Sequence, residues 1–194
     1  MQNFAATCEQ IAATTKKLEK TRLVADYLKS LELRVNFRPP RDEEQARVAQ
    51  LIQKTNQFNL SLRRRSEQEV RVLCGSHQVR VVSAADKFGD YGLVGVSIAK
   101  REGDFVALDS WLVSCRALGR GVEDAFLHGI AEEARTARAK RLQARYTKGP
   151  RNEPIKCFLE KAGFKSNGDG VFEMDLANPT AAPRHIAFEI EPAD

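Results

Sequence analysis

The chain has 194 residues, 42% of them apolar and 29% charged. That supports one ordinary domain with an appendage and argues against wholesale disorder. No apolar run nears the roughly 20 residues that a bilayer-crossing helix needs, so no membrane association is expected. Lys and Arg exceed Asp and Glu by a net +5, a mild excess that suits an anionic ligand or an acidic partner.

The opening residues carry no basic stretch followed by an apolar one, so no secretory signal is read and a cytoplasmic location is expected. Four cysteines, Cys8, Cys74, Cys115 and Cys157, are scattered without CxxC spacing or histidine partners. They read as free thiols, and no metal is expected.

Two helical stretches open the chain. Phe4, Cys8, Ile11 and Leu18 fall near helical spacing, and Val24, Tyr27, Leu28 and Leu31 form a cleaner stripe that must dock on the domain or on a partner. Leu33, Val35 and Phe37 then alternate with polar residues in a strand closed by Pro39-Pro40. Asp42 reads as the N-cap of a helix carrying Val48, Leu51, Ile52 and Thr55, ending near Asn56. A polar stretch from Asn56 leads to Arg63-Arg64-Arg65, and Ser66 with Glu69 forms a capping box for a short helix.

An antiparallel meander follows: strands at 78–84, 93–100 and 105–115, joined by turns at 88–92 and 102–104. The third strand is apolar on both faces and therefore central. Phe105, Ala107, Trp111 and Val113 are assigned to one face, and Val106, Leu108 and Leu112 to the other. The longest helix spans about 120–140, with Val122, Ala125, Phe126, Gly129 and Ile130 inward. A strand at 141–146, a helix at 152–161 and a hairpin turning at 167–170 complete the domain. The last eighteen residues look loose, with an edge strand at 185–191. The divisions are a helical segment 1–31, a domain 32–176 and a tail 177–194.

The sharpest feature is the join Val113-Ser-Cys-Arg-Ala-Leu-Gly-Arg-Gly-Val122, where an apolar strand runs into a glycine turn and then a helix. Such a join gathers backbone amides and a positive helix end, and glycines at 119 and 121 let a ligand approach the main chain. Arg116 and Arg120 add charge at its rim. The pattern reads as a pyrophosphate site; the plainer reading is a reversing turn. There is no Rossmann or P-loop signature.

The Arg116-Ala-Leu-Gly-Arg-Gly121 turn, the element order, and Asn152…Cys157-Phe-Leu-Glu-Lys-Ala-Gly-Phe164 together resemble a GNAT-type acyltransferase. The resemblance implies an α+β, three-layer fold: a mixed, mostly antiparallel bent sheet with helices on both faces. It also implies coenzyme A pyrophosphate on Val113, Arg116, Leu118, Gly119, Arg120 and Gly121, and a thioester arm entering where the central strand parts from its neighbour.

Gln53-Lys-Thr-Asn-Gln-Phe-Asn59, Asp86-Lys-Phe-Gly-Asp-Tyr-Gly-Leu93 and Ser114–Glu123 are similar to the C-terminal half of FkbH-like proteins, which load carrier proteins in polyketide pathways. That similarity implies Thr55, Asn56 and Phe58 on the acceptor side, an acyl carrier protein and a separate HAD-type subunit as partners, and an acyl-CoA or phosphopantetheine thioester as co-substrate. The HAD-type half of that family is missing here. Ile11–Leu28 is similar to the opening helices of ATP-dependent DNA ligases, but the adenylation motif is absent.

Acyl transfer needs a base, oxyanion donors and a proton for the leaving thiolate. Asp109, alone in an apolar strand, is a base lining the cleft or a structural partner of a neighbouring group. Cys115, beside a helix N-terminus, is a nucleophile or an inert core thiol. Asn152 opens the second motif or simply caps its helix, and Glu123 complements the helix dipole or has a catalytic role. Where the family often has a general-acid Tyr, this chain has Leu159, leaving water or Tyr146.

The arginine run is a solvated face or a dock for an acidic carrier protein. The expected activity is acyl transfer from a pantetheine thioester to a small hydroxyl, amine or thiol. The alternative is a non-catalytic module recognising carrier protein or coenzyme A. Nucleic-acid binding, suggested by the basic charge and the ligase-like start, ranks last because aromatics are only 7%.

Overall fold

A computed structural model describes residue 19, residues 21–177 and residues 180–192. The first expected helix, Cys8 and half of the ligase-like stretch lie outside the described residues.

Residues 21–30 form helix α1. Its stripe does not settle on the domain along its length: Leu23, Val24 and Tyr27 stay exposed, and only Leu31 at its foot is buried. The first strand, β1 (Leu33–Arg38), buries Leu33, Val35 and Phe37 as the alternation requires. Asp42 is not the N-cap expected of it, because a 3-10 turn (Asp42–Glu44) intervenes before α2 (Gln45–Lys54). Glu44 reaches back to the Arg41 amide at 2.8 Å and so closes that turn. The capping box does form: the Ser66 hydroxyl accepts from the Glu69 amide at 3.2 Å, and the Ser66 amide donates to Glu69 at 2.7 Å, starting α3 (Glu67–Cys74).

Between α2 and α3, where the sequence reads only as a polar loop, lies a two-residue strand, β2 (Phe58–Asn59). The meander is β3 (Gln78–Asp86), β4 (Gly89–Glu102) and β5 (Phe105–Val113). Helix α4 (Val122–Thr136), strand β6 (Arg141–Arg145), helix α5 (Glu153–Lys161) and the hairpin β7 (Lys165–Gly168) and β8 (Val171–Asp175) follow. The tail supplies β9 (Ile186–Ile190), parallel to β1.

The sheet order is β7-β8-β6-β5-β4-β3-β1-β9, with β2 attached to β5. Only β1–β9 and β5–β6 are parallel. Its larger face packs on α4 and α5 around Trp111, Phe126 and Leu159; its smaller face packs Leu112 and Ile98 against α2 and α3.

Asp109 sets the geometry of the centre. Leu108 pairs with Ala99 and Ser110 with Ile98, so Asp109 is an extra residue bulged out of the ladder. A bulge bends its strand and changes which face later side chains meet. Val106 and Leu108 therefore share the larger cluster with Trp111 and Val113, correcting the face assignment made by strict alternation. Beyond Leu108 and Ala144, β5 and β6 no longer pair.

Candidate functional site

The gap opened past the bulge is bridged by the chain itself. Phe58 pairs with Val113 and Asn59 with Leu112. The Leu60 amide donates to the Trp111 carbonyl at 2.9 Å, while the Leu60 carbonyl accepts from the Thr147 amide at 2.9 Å. Phe58 meets Trp111 and Phe158 edge-on, at centroid distances of 5.6 and 5.4 Å.

Asn152, fully buried, fastens this arrangement. Its amide nitrogen donates to the Asn59 and Thr147 carbonyls at 2.9 Å each, and its oxygen accepts from the Gly149 amide at 2.8 Å and the Tyr146 hydroxyl at 3.2 Å. That uses the whole bonding capacity of an asparagine side chain. Asn152 is a clasp, not an exposed catalytic amide, and burial pushes the Tyr146 phenol up. Leu159 is buried in the core.

Asp109 points toward a separate hollow of about 240 Å³ that also contains Ser61, His77 and Gln143. Both its oxygens are engaged, one by Arg63 and the other by Arg65 at 2.5 Å, and Ser110 donates to it at 3.1 Å. Both carboxylate oxygens of Asp109 are thus taken up by arginine and serine donors within the fold. The structural alternative for Asp109 is the one realised. Arg64 caps the last turn of α2, donating to the Ile52 and Thr55 carbonyls at 2.5 and 3.2 Å. All three residues of the arginine run thus have internal partners that fix the 55–66 segment.

The glycine turn is also engaged. Gly119 (φ +76°) faces open space, but its amide donates to Glu123 at 3.0 Å. The other Glu123 oxygen is buried with no partner among the described residues, and burial pushes this carboxyl up. Gly121 (φ +86°) lies beneath the tail: a side-chain carbon there would meet Pro183 at 3.1 Å and His185 at 3.2 Å. His185 Nε2–H donates to the Arg120 carbonyl at 2.8 Å.

The Arg120 guanidinium turns inward, donating to Tyr91 at 2.6 Å and meeting Asp86 at 3.4 Å. The Tyr91 hydroxyl, the Phe88 and Gly89 amides and Arg120 lower the Asp86 carboxyl from its usual value. Leu118 packs on the core, and the backbone of Val113 is shared between Phe58 and Gly95.

On the other side of the same strand end lies a cavity of about 390 Å³. It gathers Cys115, Arg116, Thr55 and Asn56, four residues that the sequence also assigns to function, together with Ser114. It also holds Arg47, Lys54 and Arg151, which that reading missed. Gly119, Arg120 and Gly121 are not among its lining residues, and Phe58 lies buried behind it. Cys115 is exposed and free. Among the described residues no group of three or more His, Cys, Asp or Glu gathers as a metal site, and no helix is long and apolar enough to cross a membrane.

Compared by sequence, the chain matches no family model and no curated protein. Solved structures are informative about shape. A protein from Desulfovibrio desulfuricans assigned to the GNAT family of acetyltransferases aligns at TM-score 0.56 and 17% identity, over 73% of this chain and 99% of that one. The chain has the GNAT fold.

The ribosomal-protein-S18-alanine N-acetyltransferase of Escherichia coli shares this fold at TM-score 0.55 and 13% identity, over 77% and 97% of the two chains. N-acetylglutamate synthase of Neisseria gonorrhoeae, solved with coenzyme A and N-acetyl-glutamate, does so at 0.54 and 19%, over 73% of this chain and 35% of that one. Within the GNAT fold, β5, the glycine turn and α4 stand in the order that the sequence resemblance implies, with β2 paired to the edge of β5 and the tail lying over Gly121.

Proposed function

We propose that this protein transfers an acyl group from a pantetheine thioester, carried by coenzyme A or by an acyl carrier protein, to a small acceptor. The observation that carries the reading is the open cavity at the end of β5, beside the point where β5 parts from β6, in a fold shared with acetyltransferases. The cavity at the end of that gap offers one exposed thiol, Cys115, in a cationic setting.

In a relay, the Cys115 thiolate attacks the thioester carbonyl, the carbon–sulfur bond to pantetheine breaks, and the pantetheine thiolate takes up the proton that Cys115 released. The acceptor then attacks the Cys115 thioester and gives up its proton as Cys115 leaves. The thiolate is the reactive form of a cysteine. Asp109 has no part in this step. A carrier protein as donor, with a separate HAD-type subunit supplying its acyl group, belongs to the same proposal.

Thiol release from acetyl-CoA, followed with amine, hydroxyl and carrier-protein acceptors, tests it, together with the intact-protein mass. The expected result is release that depends on acceptor and an acetyl adduct that disappears in Cys115→Ser. No release above the buffer rate with any acceptor overturns transfer.

A second reading has its own support. Because β2 occupies the backbone edge of β5 that an entering arm would use, the chain also fits a module that binds the pantetheine group without reacting. Binding without thiol release would establish it.

A further inference from the structure

The cavity between α2, the 55–57 loop and the strand end carries a charge pattern that nothing above explains. Arg47, Lys54, Arg116 and Arg151 line it, and no carboxylate does. None of the four forms an ion pair among the described residues, whereas Arg38, Arg63, Arg65, Arg80 and Arg120 are all paired with acids.

The negative end of the α2 dipole, which would oppose an anion here, is answered by Arg64 at the Ile52 and Thr55 carbonyls. Two other hollows lack this bias. The one beside β1, about 410 Å³, mixes Arg34, Arg38 and Arg41 with Glu44, Asp90 and Glu189. The one at Asp109 holds two acids among its cations.

Like charges brought together without counter-ions repel one another unless an anion joins them. Guanidinium groups with nearby hydroxyl and amide donors, here Ser114, Asn56 and Gln57, match the oxygens of a phosphate. Meanwhile the glycine turn already satisfies its Gly119 amide with Glu123, and a phosphate there would face that carboxylate.

We propose that the phosphate end of the pantetheine-bearing ligand is held in this cavity by Arg47, Lys54, Arg116 and Arg151, and not on the amides of the glycine turn. The identity of the ligand rests on the function proposed above; the phosphate site itself stands on the cavity. Held there, the arm lies against Ser114 and Cys115 and leaves β2 in its gap.

Calorimetry on the full chain tests the site with four probes: pantetheine, 4′-phosphopantetheine, coenzyme A and inorganic pyrophosphate. Three proteins are compared, namely wild type, Arg116→Ala/Arg151→Ala and Glu123→Gln, with melting curves as the check on folding. Removing one charge-assisted hydrogen bond to the phosphate should weaken binding about tenfold, so the double variant should bind 4′-phosphopantetheine about 100-fold more weakly. Wild type should prefer 4′-phosphopantetheine to pantetheine, the double variant should show no such preference, and Glu123→Gln should match wild type.

Coenzyme A binding tighter than 4′-phosphopantetheine supports the free cofactor as source; equal affinities support a carrier-borne group. Undiminished binding by the double variant, with tighter binding by Glu123→Gln, overturns the site and returns the ligand to the turn. Arginine-dependent pyrophosphate binding without any 4′-phosphopantetheine binding keeps the phosphate site and removes the pantetheine reading. No binding of any phosphate probe by wild type overturns both.

Discussion

The two sides of the strand end that closes β5 teach opposite lessons. On one side, a glycine turn built in the style of an anion site has its Gly119 amide taken by Glu123, its Arg120 drawn to Asp86 and Tyr91, and its Gly121 covered by Pro183 and His185. On the other, an unadvertised hollow gathers four cations and no acid. A backbone shape that invites a ligand is a site only if the rest of the chain leaves it vacant. Equally, charges that look scattered along a sequence become a site when the fold removes every competing acid.

The largest effect expected from breaking this contrast is at the wedge between the two sides. Phe58→Ala removes a ring packed against Trp111 and Phe158 at the point where β2 bridges β5 toward Thr147. Truncating a buried phenylalanine costs about 3–5 kcal/mol, measurable as a drop in the urea midpoint. A loss under about 1 kcal/mol would mean that β2 is loosely seated and already leaves the gap, which would reopen the route along β5.

A smaller effect is expected on the turn itself. Arg120→Ala takes the guanidinium away from Tyr91 and buried Asp86, so the melting temperature should fall by several degrees. Because Arg120 faces the β3–β4 hairpin and not the cavity, affinity for pyrophosphate should hold within about twofold. A large loss of affinity at unchanged stability would restore Arg120 to the role that the sequence assigns it.

Why the sequence shows one side and hides the other follows from how each is encoded. The turn is ten contiguous residues, as the Ser66–Glu69 capping box and the Leu33, Val35, Phe37 alternation are short and contiguous, and all of these are legible because each pattern is complete within a short run of chain. The edge strand at the tail is legible in the same way. Strand β2 is not, since two residues carry no periodicity and Phe58 finds its partner Val113 far along the chain. The Asp109 bulge adds a single residue that alternation cannot foresee, yet it reassigns the face of every residue before it. The cavity draws Arg47 and Lys54 from α2, Arg116 from the turn and Arg151 from the loop before α5, so only the fold can assemble it. Glu123 is legible as a dipole partner; that its carboxylate also fills the turn depends on the backbone path at Gly119.

The smallest expected effect sharpens the contrast through pH. Burial pushes the Glu123 carboxyl up, and one of its oxygens has no partner among the described residues. A carboxyl that holds its proton more tightly in the folded chain than in the unfolded one favours folding most at low pH. That benefit is lost as pH rises through the folded-state value. Above that value the wild type carries a buried charge that Glu123→Gln lacks, while the glutamine oxygen can still accept from the Gly119 amide.

The variant should melt slightly higher than wild type at neutral pH, by a degree or two, with the difference shrinking to nothing below the ordinary carboxylate range. Melting curves across pH read this directly. A variant less stable than wild type at neutral pH would mean that the ionised carboxylate is an asset to the turn. In that case the glycine turn is satisfied by its own acid more completely than the buried, unpartnered oxygen implies, and even less room remains there for a phosphate.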